Sequence, residues 1–131
     1  MVDDDASFAQ AIGRLLRAAG FGTTIFHSAE AFLQNSAAKP FACLVLDVQL
    51  GGMSGFDLGR RLGEMGAKTP FIFVTALEAE RRQEAEQMGC LAYFHKPVSG
   101  RLLLETIHRA VDSDPALKTN KTNLSSKNQT N

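Results

Sequence analysis

The sequence predicts an α/β fold, in which helices cover both faces of a doubly wound parallel sheet. Helical and strand patterns alternate along the chain in five β/α units. The clearest strand is the apolar run 42–46, which is uninterrupted, as in strands that are buried on both faces. With 131 residues, 44% of them hydrophobic, the chain has enough apolar side chains for the core of one domain.

The first helix is predicted over about residues 7–19, because apolar residues recur there at helical spacing. These residues are Phe8, Ala11, Ile12, Leu15 and Leu16. Gly20 follows as a C-terminal stop. Residues 23–26 then predict a short strand.

Serine residues mark the expected starts of the next two helices. Ser28 can cap a second helix, which ends before Pro40, and the strand 42–46 follows. Ser54 can cap a third helix, which Gly66 closes.

The last two β/α units are predicted from shorter signals. Strands are expected from Pro70 to Thr75 and over residues 92–95, separated by a mostly polar helix over about residues 78–88. Ser99 can cap the last helix. Its predicted buried stripe consists of Leu102, Leu103, Thr106, Ile107 and Ala110.

Charge and composition exclude several classes of function. Fourteen basic and fourteen acidic residues give a net charge of zero, so we expect no direct binding to nucleic acid or to an anionic membrane. No apolar stretch approaches the roughly 20 residues of a membrane span, and the acidic start has the wrong sign for a secretory signal. We therefore expect a cytoplasmic protein. Cys43 and Cys90 are interpreted as small apolar residues rather than a disulfide or metal site.

The composition changes at residue 112. Ser113-Asp114-Pro115 breaks the last helix, and the residues beyond it are nearly all Lys, Thr, Asn, Ser and Gln. Such a segment cannot bury enough apolar surface to offset its chain entropy. The sequence therefore predicts a domain over residues 1–111 and a disordered polar tail over residues 112–131.

Polar residues follow four of the predicted strands. They occur in the segments Val2-Asp3-Asp4-Asp5, Leu46-Asp47, Val74-Thr75-Ala76 and Tyr93-Phe94-His95-Lys96-Pro97. Open α/β sheets place their chemistry at the carboxyl ends of their strands. These segments therefore predict one site, made of clustered carboxylates, a hydroxyl and a lysine.

In this order, the four motifs resemble the receiver domain of two-component response regulators, over residues 1 to about 111. The resemblance implies a flavodoxin-like, five-stranded parallel sheet with the strand order 2-1-3-4-5. It also implies that Asp47 accepts a phosphoryl group from a sensor histidine kinase or a histidine phosphotransfer protein. The aspartyl phosphate would be lost slowly to water, and the output would be altered binding to a downstream protein rather than enzymatic turnover.

The resemblance assigns a role to each polar residue. Mg²⁺ would be bound by Asp4 and Asp47 directly, by Asp3 through water and by the backbone carbonyl of Gln49, since it prefers oxygen ligands. Lys96 would pair with a phosphate oxygen, and its bond to Pro97 resembles the family's cis peptide. Thr75 would donate its hydroxyl to another phosphate oxygen, and Tyr93 matches the family's switch aromatic. Carboxylates this close repel one another, so at least one should have a raised pKa. Asp5 can instead cap the first helix.

Two positions depart from the family pattern. Gly51 stands where the family commonly has proline, so we expect a more mobile loop after Asp47. Only Met1 and Val2 precede the acidic pair, where the family usually has four or five apolar residues. The resemblance therefore implies a truncated first strand.

Two other classes of function remain open at this point. A small Mg-dependent aspartyl-phosphate hydrolase of the haloacid dehalogenase type also combines aspartates, a hydroxyl and a lysine, and Asp3-x-Asp5 superficially matches its signature. That family, however, places its nucleophile on the first strand. The third possibility is a phosphorylation-independent interaction module, whose acid pocket has been degraded by the short start.

Overall fold

The computed structural model describes residues 1–35, 41–77 and 81–112 and shows an α/β fold. In chain order, its elements are α1 (Ala6–Ala18), α2 (Ala29–Asn35), β1 (Leu44–Leu46), α3 (Gly55–Glu64), β2 (Phe71–Thr75), α4 (Arg82–Gln87), β3 (Ala92–His95) and α5 (Gly100–Asp112). Within these ranges, no helix is long and apolar enough to cross a membrane. The predicted tail, apart from Asp112 at the end of α5, lies outside the described residues.

The sheet is parallel and has the predicted strand order. Strand β2 lies between β1 and β3, with Val45 opposite Ile72 and Phe73 opposite Tyr93. Val2 forms parallel bridges to Phe26 on one side and to Leu46 on the other. From edge to edge, the order is therefore the segment at Phe26, the segment at Val2, β1, β2 and β3, which is 2-1-3-4-5.

The first two predicted strands are each reduced to one bridging residue, Val2 and Phe26. Val2 N donates to Val45 O at 2.8 Å, and Asp3 N donates to Phe26 O at 3.0 Å. The strand predicted over residues 23–26 is wrong in extent, because only Phe26 forms a bridge. Its neighbour in the sheet is the segment at Val2, which also forms a single bridge to it.

The side chains of each strand point alternately into two hydrophobic clusters, one on each face of the sheet. Helices α1 and α5 pack on the face that carries Val45, Ile72 and Val74. Helices α2, α3 and α4 pack on the face that carries Leu46 and Phe73. Because successive side chains of a strand point to opposite faces, each strand contributes to both clusters, as expected for a doubly wound sheet.

Four of the five predicted helix starts are confirmed by caps, whereas the start predicted near residue 78 lies outside the described residues. The side-chain oxygens of Asp5, Ser28, Ser54 and Ser99 accept hydrogen bonds from the backbone N–H three residues later, at 3.0–3.3 Å. These contacts satisfy N–H groups that have no partner within the helix.

The buried stripe of the last helix is wrong at one position. Leu102 is 46% exposed, whereas Leu103, Thr106, Ile107 and Ala110 are buried as predicted. Leu102 and Leu103 are neighbours on a helix and point about 100° apart, so they cannot both face the sheet fully.

Candidate functional site

The predicted site residues converge at the carboxyl edge of the sheet. Asp3 follows the bridge at Val2, Asp47 follows β1, Thr75 ends β2, and Lys96 follows β3. Since parallel strands end at the same edge, these polar groups meet although they are far apart in sequence.

Lys96 is ion-paired with two buried carboxylates. Its Nζ atom lies 3.0 Å from Asp47 Oδ2 and 3.0 Å from Asp3 Oδ2. Asp3 is 1% exposed and Asp47 5% exposed. Two acidic groups therefore share one cation in a largely water-excluded place, where removal of the cation is costly. The bond between Lys96 and Pro97 is cis, as expected.

Burial and ion pairing shift the pKa values of Asp3 and Lys96. Burial raises the pKa of Asp3, and the negative charge of Asp47 adds to that rise, while the Asp5 N–H and the Lys96 ammonium oppose it. The prediction of a raised carboxyl pKa is confirmed, although its main cause is burial rather than repulsion. For Lys96, burial lowers the pKa, but pairing with the Asp3 and Asp47 carboxylates outweighs burial, so the pKa is raised.

The three acidic residues fit a hard divalent cation. Asp3, Asp4 and Asp47 each offer one oxygen, and these oxygens lie within 4.8 Å of one another. Asp3 Oδ1 accepts from Asp5 N at 2.8 Å and Asp47 Oδ1 accepts from Gln49 N at 3.0 Å. The buried Asp3 Oδ2 atom, in contrast, accepts no well-oriented hydrogen bond from a described residue, although Lys96 is near it. Oxygen ligands with unused acceptor capacity are what Mg²⁺ requires.

Gln49 contacts Asp47 through its N–H, so the ligand role of its carbonyl remains a prediction. Thr75 is fully buried, and its hydroxyl oxygen accepts a hydrogen bond from Leu77 N at 3.3 Å. Tyr93 is buried against Phe73, with 6.3 Å between ring centroids. The switch roles of Thr75 and Tyr93 also remain predictions.

Three contacts around the site were not anticipated from the sequence. The loop after β1 is tied to α2, because Glu30 Oε2 accepts a hydrogen bond from Met53 N at 2.9 Å. This contact opposes the mobility that Gly51 suggested. Gly55 packs against the Asp47 backbone, and Gly55 N donates to Val48 O at 2.9 Å. The ring of Phe8 lies 4.3 Å from Lys96 Nζ.

Comparison with known proteins indicates the same family. A family model described as "Response regulator receiver domain" matches residues 1–108. The chain is 34% identical over 126 residues to the response regulator protein TmoT of Ectopseudomonas mendocina, covering 95% of this chain and 57% of that protein. It is 32% identical over 120 residues to the transcriptional regulatory protein FixJ of Bradyrhizobium diazoefficiens, covering 90% of this chain and 58% of that protein. The chain therefore spans about half the length of the curated relatives it matches.

Solved structures show the same architecture. A CheY-like response regulator receiver domain protein from Methanospirillum hungatei JF-1 superposes with a TM-score of 0.80 at 26% identity, covering 91% of this chain and 94% of that one. The receiver domain of the Francisella response regulator 1452 superposes with a TM-score of 0.80 at 25% identity, covering 92% of this chain and 95% of that one.

Proposed function

This chain belongs to the response regulator receiver domain family, and from that premise we propose that Asp47 is its phosphoacceptor. The donor is a phosphohistidine on a sensor histidine kinase or on a histidine phosphotransfer protein. One observation carries the proposal: Asp47 is buried at the carboxyl edge of the sheet, with the Lys96 ammonium 3.0 Å from its Oδ2 atom. A carboxylate held beside a cation is suited to receive a group whose negative charge must be neutralised.

The transfer consists of one displacement at phosphorus. An oxygen of the Asp47 carboxylate attacks the phosphorus atom and forms a P–O bond, while the P–N bond to the donor histidine breaks. The imidazole leaves with the electron pair of that bond. Water later hydrolyses the aspartyl phosphate slowly, which releases inorganic phosphate and restores the carboxylate. The domain thus works as a signalling module rather than as a catalyst of repeated turnover.

Lys96 and Thr75 recognise the transferred group. The Lys96 ammonium has three N–H donors, one of which bonds Asp47 Oδ2 at 3.0 Å, so donors remain available to a phosphate oxygen. The Thr75 hydroxyl accepts from Leu77 N, so its own hydrogen can still be donated. Both groups therefore retain donor capacity for an anion at Asp47.

The acid pocket is proposed to hold Mg²⁺ through Asp4 and Asp47, through Asp3 by way of water, and through the Gln49 carbonyl. Bound there, Mg²⁺ supplies positive charge to the oxygens of the transferred group. The support is the set of three acidic oxygens within 4.8 Å of one another and the unused acceptor at Asp3 Oδ2. The protein's own part is to keep these carboxylates together despite their repulsion.

The output is proposed to be a change in protein binding by the receiver, which occupies residues 1–111. A phosphate that draws the Thr75 hydroxyl would pull on β2, and Lys96 N is bonded to Thr75 O at 2.8 Å. Tyr93 of β3 packs on Phe73 of β2. The guanidinium of Arg82 in α4 lies 5.3 Å from the Tyr93 ring centroid. These contacts connect the site to α4, so phosphorylation can bias two arrangements of this face.

Labelling with a small phosphodonor tests the assignment. With acetyl phosphate and Mg²⁺, the purified chain should gain one acid-stable, base-labile phosphoryl group, and Asp47→Asn should gain none. Asp57→Asn is the matched control, because Asp57 is an exposed aspartate on α3 and should leave labelling unchanged. Full labelling of Asp47→Asn would refute the proposal.

The family match favours the receiver over the hydrolase and over the phosphorylation-independent module. Incubation with a generic phosphate ester distinguishes a receiver from a hydrolase, because only a hydrolase releases product repeatedly. We expect no repeated release of product from the ester. Sustained release that requires Asp3 and not Asp47 would instead support the hydrolase.

A further inference from the structure

Phe8 closes a ring of contacts that begins and ends at Asp3. Asp3 Oδ1 accepts from Asp5 N at 2.8 Å, and Asp5 Oδ1 accepts from Phe8 N at 3.1 Å. The Phe8 ring then lies 4.3 Å from Lys96 Nζ, which is paired with Asp3 Oδ2 at 3.0 Å. The start of α1 is therefore connected to the ammonium by way of the helix cap.

The position of the Phe8 ring is set from two directions. Its backbone is held by the cap at Asp5, the residue before α1. Its half-buried side chain packs against the hydrophobic cluster that α1 and α5 form on one face of the sheet. A ring that is restrained at both ends is a fixed surface, whereas the four-carbon stem of Lys96 is flexible.

The electrostatics favour this contact. The face of an aromatic ring is negative, so it attracts an ammonium group, and the attraction grows as water is excluded. The Lys96 side chain is only 16% exposed, so much of its hydration has been lost. The ammonium is paired with two carboxylates, and the ring adds a third contact from a different direction.

We propose that Phe8 is a positioning residue, which holds the Lys96 ammonium at the place where it meets both Asp47 and an incoming phosphoryl oxygen. In this role Phe8 acts through Lys96. The consequence for phosphoryl transfer rests on the function proposed above, whereas the ordering of Lys96 does not depend on it.

Three variants distinguish the effect of the aromatic face of Phe8 from the effect of its apolar packing. Phe8→Leu keeps an apolar side chain and removes the aromatic face, and Phe8→Tyr keeps the face. Phe21→Leu is the matched control, because Phe21 is another half-buried phenylalanine of the same hydrophobic cluster and its ring contacts His108 instead. The thermal midpoint of each variant reports the loss of packing that Phe8→Leu and Phe21→Leu share.

The first measurement is NMR of the Lys96 side chain in the full chain, without phosphodonor. We expect greater mobility of the Lys96 ammonium and terminal methylene in Phe8→Leu than in the parent, recovery in Phe8→Tyr, and parental behaviour in Phe21→Leu. The second is the rate of labelling by acetyl phosphate, which we expect to fall about fivefold in Phe8→Leu and to recover in Phe8→Tyr.

The outcomes distinguish the two proposals. Parental Lys96 order in Phe8→Leu, or failure of Phe8→Tyr to restore it, would overturn the positioning role even if labelling slows. If the parent chain takes no label, the proposed phosphoacceptor function fails, while the NMR measurement still decides whether Phe8 orders Lys96.

Discussion

Gly55 and the backbone of Asp47 lie in such close contact that no larger residue fits at position 55. A Cβ atom on Gly55 would stand 2.1 Å from the Asp47 carbonyl oxygen and 2.9 Å from Val48 Cα. Real Cβ atoms do not approach backbone atoms this closely, and the backbone cannot move aside as a flexible side chain would. The first residue of α3 therefore helps to set the position of the proposed phosphoacceptor.

The first prediction is that Gly55→Ala lowers the free energy of unfolding by about 3 kcal/mol, because it overpacks against backbone. It should also weaken labelling of Asp47 by displacing the strand end. Gly63→Ala is the control on the same helix, since no described atom beyond its chain neighbours and its own helix backbone lies within 4 Å of a Cβ there, and alanine favours the helix. Urea denaturation measures the stability of both variants, and incubation with acetyl phosphate measures the labelling. Equal stabilities of the two variants would contradict the close contact.

The second prediction concerns metal affinity. Asp4→Ala should weaken Mg²⁺ binding by at least about tenfold, the loss that outer partners of metal sites already cause. Lys96→Ala should bind Mg²⁺ more tightly, because the ammonium that is paired with Asp3 and Asp47 is gone. Lys96→Ala should also slow phosphorylation of Asp47, and phosphorylation of this variant should no longer cause a conformational response. Titration followed by NMR gives the affinities, and unchanged affinity in Asp4→Ala would remove Asp4 from the ligand set.

The third prediction is that four or five β-branched residues ahead of Met1 raise the melting temperature and strengthen Mg²⁺ binding. The Met1 amino group donates to Thr24 O at 2.8 Å beside a cavity of about 90 Å³, which Thr24, Cys43 and Val45 also line. An added strand would fill this space and extend the sheet pairing. If neither quantity changes, the short first strand is tolerated as it stands.

The fourth prediction follows from the same amino group. Burial lowers the pKa of the Met1 amino group from 8.0 to about 6, although the nearby Cys43 opposes this shift. The unfolded chain therefore binds more protons between pH 6 and pH 8, and stability should rise with pH in that window. Over these two pH units the free energy of unfolding should rise by about 3 kcal/mol at most. Acetylation of Met1 should abolish this slope without adding a strand, and a slope that survives acetylation would have another source.

The fifth prediction concerns the loop after β1. The Met53 N–H holds the pKa of Glu30 below its usual value of 4.5. The contact should therefore persist above pH 4.5 and be lost as the pH falls through the lowered pKa. At neutral pH, Glu30→Ala should speed amide exchange at Met53, and Glu64→Ala, which changes another exposed glutamate, should not. Unchanged exchange at Met53 would mean that Glu30 does not restrain the loop.

Local chemistry made much of this protein predictable from its sequence. A helix cap joins residues three apart, and a strand-end carboxylate follows directly after an apolar run, so both are visible along the chain. Asp5, Ser28, Ser54 and Ser99 cap helices as their spacing predicts. The convergence of Asp3, Asp47 and Lys96 followed from the parallel sheet, because its strand ends share one edge.

Contacts between distant segments were decided only by the tertiary structure. The spacing of Leu102 and Leu103 is the same whichever of them faces the sheet, and the rotation of α5 against the core exposed Leu102. The pairs Phe8–Lys96, Glu30–Met53 and Gly55–Asp47 depend on how helices sit against strand ends, which no spacing within one element encodes. Side chains meet there through the packing of whole elements, and that packing minimises the free energy of the assembled core rather than of any single segment.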